Sequence, residues 1–300
     1  MARCLVTGHK GYIGSKLFSR LVELGHEVEG LDIVKHPGDV IKVLAEDTDG
    51  RFHPHYSNFQ PEYIFHLACW PRIGECLNSP VKTMRNNVMA GSVLLNFAKK
   101  IGSVKKFIYS SSSSVVGDGS GPTNPYALQK LVTEKECGIY SGVYGLDTVS
   151  LRYFNVYSDD QDASGPYATA IANWRKSLIE GIPPFITGDG EQRRDMVHVD
   201  DVVAANIHCM EYTERFDGKV FDVGTGDNIS LNEVKEIIQF YHKVNFEYRP
   251  PRPGEVAATR ANTLPLAEYG WTARISISEG MNQCFNFTNE RARSNTKEEE

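Results

Sequence analysis

Tyr126 and Lys130 stand four residues apart, in Tyr126-Ala127-Leu128-Gln129-Lys130, and five consecutive serines, Ser110 to Ser114, precede them. On a helix, residues i and i+4 share a face, so a phenol and an ammonium can reach one small volume. A phenol ordinarily titrates near ~10, too high for a base at neutral pH, and bringing it to about 7 takes roughly 4 kcal/mol of differential stabilisation of the phenolate. One cation at ~4 Å in an effective dielectric of about 20 supplies about that much. A serine hydroxyl can donate a hydrogen bond to the same phenolate or to a substrate oxygen. The group is suited to taking a proton from an alcohol.

The elements needed to position it follow from the hydrophobic pattern. Short apolar runs (Arg3–Thr7, Glu27–Asp32, Tyr63–Ala68, Lys106–Ser110 and Thr148–Tyr153) alternate with helical patterns at Ser15–Leu24, around Val81–Lys100 and through Tyr126. This alternation predicts an α/β fold with a Rossmann-type, doubly wound parallel sheet. The second half differs, with helices expected over about Tyr167–Glu180 and Leu231–Tyr241, a Gly-Asp-Gly turn at Gly188–Gly190 and a Pro-rich crossing at Arg249–Gly254. The expected division is a dinucleotide-binding domain over 1–165 with a return segment at about 196–223. A smaller C-terminal α/β substrate-binding lobe, mainly 166–290, would close over the carboxyl ends of the sheet, and 291–300 would be a disordered tail.

Gly8-His9-Lys10-Gly11-Tyr12-Ile13-Gly14 directly follows the first expected strand and opens the first helix. Its glycines let the backbone approach a pyrophosphate, which then rests on a helix N-terminus. Asp32 ends the second strand, 18 residues after Gly14, close to the ~20 expected of an acid that binds adenosine ribose hydroxyls. A carboxylate there repels a 2′-phosphate, so NAD is expected rather than NADP.

The net charge of −6 gives no general basic footprint, which argues against nucleic-acid binding. The six cysteines are scattered, with no Cys-x-x-Cys pair and no Cys/His metal spacing, as expected of reduced thiols in a cytoplasmic protein without a metal site. There is no leader-like N-terminus and no long apolar run, so no membrane partner is expected.

Taken together, these motifs resemble the extended short-chain dehydrogenase/reductase family, and within it the NAD-dependent nucleotide-sugar epimerases and dehydratases. The resemblance also rests on His66-Leu67-Ala68, Asn87 before Gly91, the serine run ending Val115-Val116-Gly117, Arg152-Tyr153-Phe154-Asn155-Val156-Tyr157, Gly188-Asp189-Gly190-Glu191-Gln192-Arg193-Arg194-Asp195 and Arg252-Pro253-Gly254-Glu255. It implies that Tyr126 is the acid/base, that Lys130 binds the nicotinamide ribose and depresses the Tyr126 pKa, and that Ser112 is the catalytic hydroxyl. It implies an NAD site built from Gly8, Gly11, Tyr12, Ile13, Gly14, Asp32, Ile33, Leu67, Ala68, Asn87, Ser110, Tyr126, Lys130, Tyr153 and Val156. Ser112, Ser113, Asn155, Arg194, Arg252 and Glu255 would hold a nucleotide-diphosphate sugar, with Arg194 and Arg252 on the diphosphate. A homodimer is implied too, packed through the helix near Asn87–Lys100 and the Tyr126 helix.

Relatives that dehydrate or decarboxylate carry acidic residues just after the catalytic hydroxyl, where this chain has Ser113 and Ser114. Neither serine is a strong acid or base at neutral pH. The implied reaction is therefore epimerisation at C4 of a UDP-N-acetylhexosamine, UDP-hexose or UDP-hexuronate through a transient 4-keto sugar. A nucleotide-sugar dehydrogenase, ketoreductase or 4,6-dehydratase using the same triad is the alternative. Thr259, small where some relatives have Tyr, leaves room for an N-acetyl group. Cys69-Trp70-Pro71-Arg72 departs from the family pattern. Trp70 belongs either to the core or to the sugar site, and Arg72 meets either an anion or solvent.

Overall fold

In the computed structural model, residues 1–33, 52–117, 119–163, 169–251 and 256–286 are described. The chain divides into two compact units. One comprises Met1–Tyr153, Val202–Val223 and Leu264–Trp271; the other comprises Phe154–Asp201, Gly224–Thr263 and Thr272–Glu300.

The first unit is built on a six-stranded, all-parallel sheet. Its strands are β1 (Arg3–Thr7), β2 (Glu27–Leu31), β3 (Tyr63–His66), β4 (Lys106–Ser112), β5 (Thr148–Tyr153) and, after four strands of the second unit, β10 (Lys219–Val223). The spatial order is β10-β5-β4-β3-β1-β2. From β1 the chain passes first to one neighbour, β2, and then to the other, β3, so a topological switch point lies at the carboxyl end of β1, where open α/β sheets bind ligands. Burial on both faces requires near-continuous apolar strands, and Cys4, Leu5, Val6, Ile64, Phe65, Phe107, Ile108, Val149 and Leu151 are fully buried.

Helix boundaries follow local chemistry. The helix Pro125–Tyr144 starts with the Asn124 side chain accepting from the Ala127 N–H, has Pro125 in its first turn, and stops at Gly145 in the left-handed region. The single helix expected over Val81–Lys100 is broken. It runs as Pro80–Met84, a π-helical turn Arg85–Met89, and Ala90–Ile101. The wide turn coincides with two buried amides, Asn86 and Asn87, which bear on the site below.

The return of the chain to this unit is held partly by a buried cation. Lys106 Nζ donates to the carbonyls of Cys209 and Tyr212 at the end of the helix Val199–Glu211, where the helix dipole favours positive charge. Leu264–Trp271 joins the same unit, with Tyr269 packing its ring against Tyr212, Phe216 and Phe221. No motif in the sequence marks that short return.

The second unit contains β6 (Asn155–Tyr157), β7 (Phe185–Thr187), β8 (Arg193–Arg194), β9 (Met196–His198), β11 (Ile229–Ser230) and β12 (Glu247–Arg249), paired two by two as β6–β9, β7–β12 and β8–β11. Its core packs Trp174, Leu178, Ile186, Val234, Ile238, Met281 and Phe285 together. Asp195, fully buried, ties it up by accepting from the backbone N–H groups of Thr225, Gly226 and Ala261 and from the Thr225 hydroxyl. The expected helix at Tyr167–Glu180 is described over Ala170–Glu180. The expected tail at 291–300 lies outside the described residues.

One consequence of the first unit's packing is measurable. His66 is buried at the end of β3, hydrogen-bonded through Nδ1 to Thr7 Oγ1 at 2.8 Å. Burial, with the Lys130 charge adding to it, pulls its pKa from the ordinary 6.5 to about 3. The folded value lies below the unfolded one, so as pH falls the unfolded chain takes up this proton first. Stability from this source is complete above pH 6.5 and declines from there towards about 3. Replacing His66 with Asn is expected to flatten the fall in urea midpoint between pH 6.5 and about 4. A decline as steep as the parent's would remove His66 as its cause.

Candidate active site

The glycine loop follows β1 and leads into the helix Tyr12–Glu23. Gly8 lies in the left-handed region at φ +75°, and a Cβ there would stand 2.9 Å from the Ala68 amide nitrogen. A Cβ on Gly14 would run into the Gly8 carbonyl oxygen. Gly11 caps the helix without a side-chain hydrogen bond, and the first turn carries no acidic residue. The N–H groups of Tyr12, Ile13 and Gly14 lie in that turn and lack intrahelical acceptors, which suits a pyrophosphate. Asp32 follows β2, its Oδ2 accepting from the Lys10 N–H at 2.9 Å, and Ile33 packs on the apolar cluster beneath. Leu67 and Ala68 are fixed to β1, their N–H groups donating to the Thr7 carbonyl and hydroxyl at 3.2 Å each. A close cradle, a helix start without an acidic residue and a carboxylate at the end of β2 fit NAD.

Ser112 ends β4 and caps the single 3₁₀ turn Ser113–Val115. The Ser114 hydroxyl donates to Ser112 Oγ at 2.9 Å. Tyr126, partly exposed, lies in the first turn of the helix Pro125–Tyr144. Burial of its hydroxyl pushes the phenol well above its ordinary value; the Cys69 thiol adds to the rise, and a hydrogen bond with Ser112 opposes it. The expected depression by Lys130 is not what dominates. The Lys130 ammonium lies 5.9 Å from the centre of the Tyr126 ring and donates at 2.6 Å to the Ser110 carbonyl. Desolvation of the phenolate outweighs a cation at that distance whose shortest contact is elsewhere.

Ser110 and Tyr153 are buried, with their hydroxyls 2.8 Å apart and Tyr153 Oη also bonded to Asn206. Their side-chain oxygens are engaged within the core, which leaves ring and backbone for any ligand. The Asn87 side chain brackets the Trp70 peptide, accepting from its N–H at 2.7 Å and donating to its carbonyl at 3.1 Å.

In the second unit, Asn155 donates to the Asp195 carbonyl at 2.7 Å and to Thr259 Oγ1 at 3.3 Å, and Val156 follows it in β6. Arg194 Nη1 donates to the Arg193 carbonyl at 2.9 Å. Arg193 has Nη1 2.8 Å from Glu233 Oε2 and two further bonds to Asn228. Arg252 and Glu255 lie outside the described residues.

A buried ion pair was not foreseen. Glu134, on the Tyr126 helix, accepts from Arg152 of β5 through both oxygens at 2.8 Å and from the Ser111 hydroxyl at 2.5 Å. It sits eight residues past Tyr126, and that helical spacing is the only sequence signal that could have pointed to it.

A parallel sheet with a glycine cradle at its switch point and a Ser/Tyr/Lys group at the end of β4 defines an NAD-dependent Rossmann-fold enzyme. The chain belongs to the NAD dependent epimerase/dehydratase family, whose pattern matches residues 4–224. It is 32% identical to a UDP-glucose 4-epimerase of Mycolicibacterium smegmatis over 95% of this chain and 98% of that protein. Among solved structures it resembles a UDP-glucose 4-epimerase of Thermotoga maritima with UDP-glucose (TM-score 0.83, 31% identity, 98% and 99% of the two chains). It is also similar to a UDP-N-acetylglucosamine 4-epimerase of Methanobrevibacter ruminantium in complex with UDP-N-acetylmuramic acid (TM-score 0.83, 28% identity, 98% and 99%).

Removing one partner of a buried pair leaves a charge uncompensated. Glu134→Ala is expected to cost about 3 kcal/mol in a urea titration, whereas Glu134→Gln, which also removes the charge but keeps one acceptor oxygen for Arg152 Nε and Ser111, is expected to cost less. Equal losses would show that the lost charge alone, and not the lost acceptor, sets the cost.

Proposed function

We propose that this chain is a UDP-sugar 4-epimerase that inverts C4 through a transient 4-keto sugar. One observation carries the reading beyond family membership. The two residues after Ser112 are serines, the second of which, Ser114, donates its hydroxyl to Ser112 Oγ, and the groups that raise the Tyr126 pKa besides burial are the thiols of Cys69 and Cys76, not a carboxylate. Proton chemistry at neighbouring carbons would need a second acid or base there. Names of similar proteins support the same reaction.

NAD, when bound, supplies the hydride acceptor and later the donor. Tyr126 takes the proton of the C4 hydroxyl and returns it to the new one. It does so as the phenolate, its own proton having first passed to solvent; burial opposes that loss in the free protein, and the Lys130 ammonium, four residues on, favours it. Ser112 holds the C4 oxygen from the other side by hydrogen bonding. The glycine loop, with Gly8, Gly11 and Gly14, and Asp32 hold the dinucleotide; Arg194 and Arg252 hold the sugar diphosphate, which Asn155 borders, and Glu255 lies near the nucleotide ribose. Thr259 is small and bonded to Asn155, which favours a substrate range that includes N-acetylhexosamines.

Exposed apolar side chains on the two helical segments implied for dimerisation, Met89 on the first and Leu128, Ile139 and Val143 on the Tyr126 helix, support a homodimer through these faces. Sedimentation velocity is expected to give the dimer mass, and a Met89→Glu/Leu128→Glu double variant the monomer mass; a parent that stays monomeric at all concentrations would refute it.

A panel of UDP-, GDP- and dTDP-sugars followed by NMR is expected to give C4-inverted UDP-sugars with no net reduction of NAD. Steady NADH accumulation or loss of water would replace this reading with the dehydrogenase or dehydratase one. Tyr126→Phe should keep bound NAD and lower turnover by about 100-fold or more. Arg252→Ala should chiefly raise KM, and an unchanged KM would remove it from the diphosphate site.

A further inference from the structure

Gln129, between Tyr126 and Lys130 on their helix, is fully buried although nothing in the reaction calls for an amide there. Its Oε1 accepts from Asn87 Nδ2 at 2.7 Å, with the Cys76 thiol at 3.7 Å, and its Nε2 donates to Thr83 Oγ1 at 3.0 Å. Asn87 in turn brackets both polar groups of the Trp70 peptide. An amide can face that peptide in two orientations related by a flip. An acceptor at Gln129 Oε1 demands the NH₂ group on its side, which leaves Asn87 Oδ1 turned to the Trp70 N–H. The polar chain Gln129–Asn87–Trp70 thus spans from the Tyr126 helix to the loop after β3.

That loop leaves the sheet between the carboxyl ends of β1 and β4, the strands that carry the glycine cradle and Ser112. It is held at one end by the Ala68 N–H on Thr7 and beyond by Asn87 on Trp70, whose ring also lies 4.4 Å from Lys82 Nζ. Cys69 is strung between these two anchors. Its influence on the Tyr126 phenol agrees with a place beside the reacting hydroxyl.

We propose that Gln129 is a positioning residue: by fixing the orientation of the Asn87 amide it clamps the Cys69–Trp70 edge beside Tyr126, and so holds the wall against which the sugar is presented. The catalytic part of this proposal rests on the epimerase reading; the clamp itself does not. A polar network of this kind is cooperative, since loss of one member leaves others buried and unpaired.

Cys69 reports on the clamp independently of activity, because it is the one cysteine of the six that is not buried. Alkylation of Cys69 by iodoacetamide, followed by peptide mass spectrometry on the NAD-bound protein, is the test, with kcat for C4 inversion and bound NAD measured alongside. Gln129→Leu is expected to speed Cys69 alkylation about tenfold through local opening and to lower kcat by about tenfold or more through misplacement, with bound NAD unchanged. Gln129→Glu keeps the acceptor for Asn87 and should restore both towards the parent values. Unchanged Cys69 reactivity in Gln129→Leu, or an equal rise in Gln129→Glu, overturns the proposal. Should Gln129→Leu fail to fold, Thr83→Val decides: it leaves Gln129 Nε2 without its acceptor and so loosens the amide that orients Asn87, so a severalfold rise in the Cys69 rate agrees with the clamp, and a rate within about twofold of the parent refutes it. Failure of the epimerase reading would leave the alkylation result standing.

Discussion

The site depends on how one helix is keyed onto the sheet. Pro125–Tyr144 carries Tyr126, Lys130 and Gln129, while Ser112 belongs to β4. Nothing local relates the two; the buried Glu134 does. Its two oxygens meet the planar fork of Arg152 on β5, and one of them also accepts from Ser111, the residue before Ser112. A bidentate pair has one satisfactory geometry, so it fixes rotation and translation of the helix together. Lys130, reaching the Ser110 carbonyl two residues before Ser112, adds a second point of attachment on the same strand. With three contacts spread over Ser110, Ser111 and Arg152, a shift of the helix by one residue would break all of them at once.

The same economy governs the cofactor cradle. Thr7 ends β1 and holds the β3 exit through its hydroxyl, which bonds both His66 and the Ala68 amide. The glycine loop then packs so closely on Ala68 that Gly8 has no space for a side chain. Binding surface and strand packing are therefore one structure, and the site's floor is as rigid as the sheet. The loop above it is made rigid by different means, the buried amides of Asn87 and Gln129, which cost stability when incomplete.

Much of this was legible in the residue order. The strands at Arg3–Thr7 and Thr148–Tyr153 were bounded to the residue, the first by the near-continuous apolar run of a strand buried on both faces, the second by its β-branched and aromatic residues Thr148, Val149 and Tyr153. The helix start at the glycine motif and the grouping of Ser112 with Tyr126 and Lys130 rest on short spacings, for which the period of the helix suffices. The continuous helix expected at Val81–Lys100 was interrupted by a π-helical turn, because Asn86 and Asn87 are drawn inward by tertiary contacts that helix periodicity does not register. The raised Tyr126 pKa has a related cause: the spacing places a cation near the phenol, but the extent of desolvation is a property of the folded surroundings.

The sequence by itself determined the class of fold, the glycine turn that opens the first helix and the grouping of Ser112, Tyr126 and Lys130, since each depends on short spacings or on one strand–turn–helix unit. Only the tertiary structure decided what holds them in place. Glu134 meets Arg152 and Ser111 across 18 and 23 residues, Gln129 meets Asn87 and Thr83 across 42 and 46, and Asp195 gathers donors 30 to 66 residues away. Charge and amide partners at such separations have no periodicity to read, because closing the intervening chain, not its local conformation, selects them.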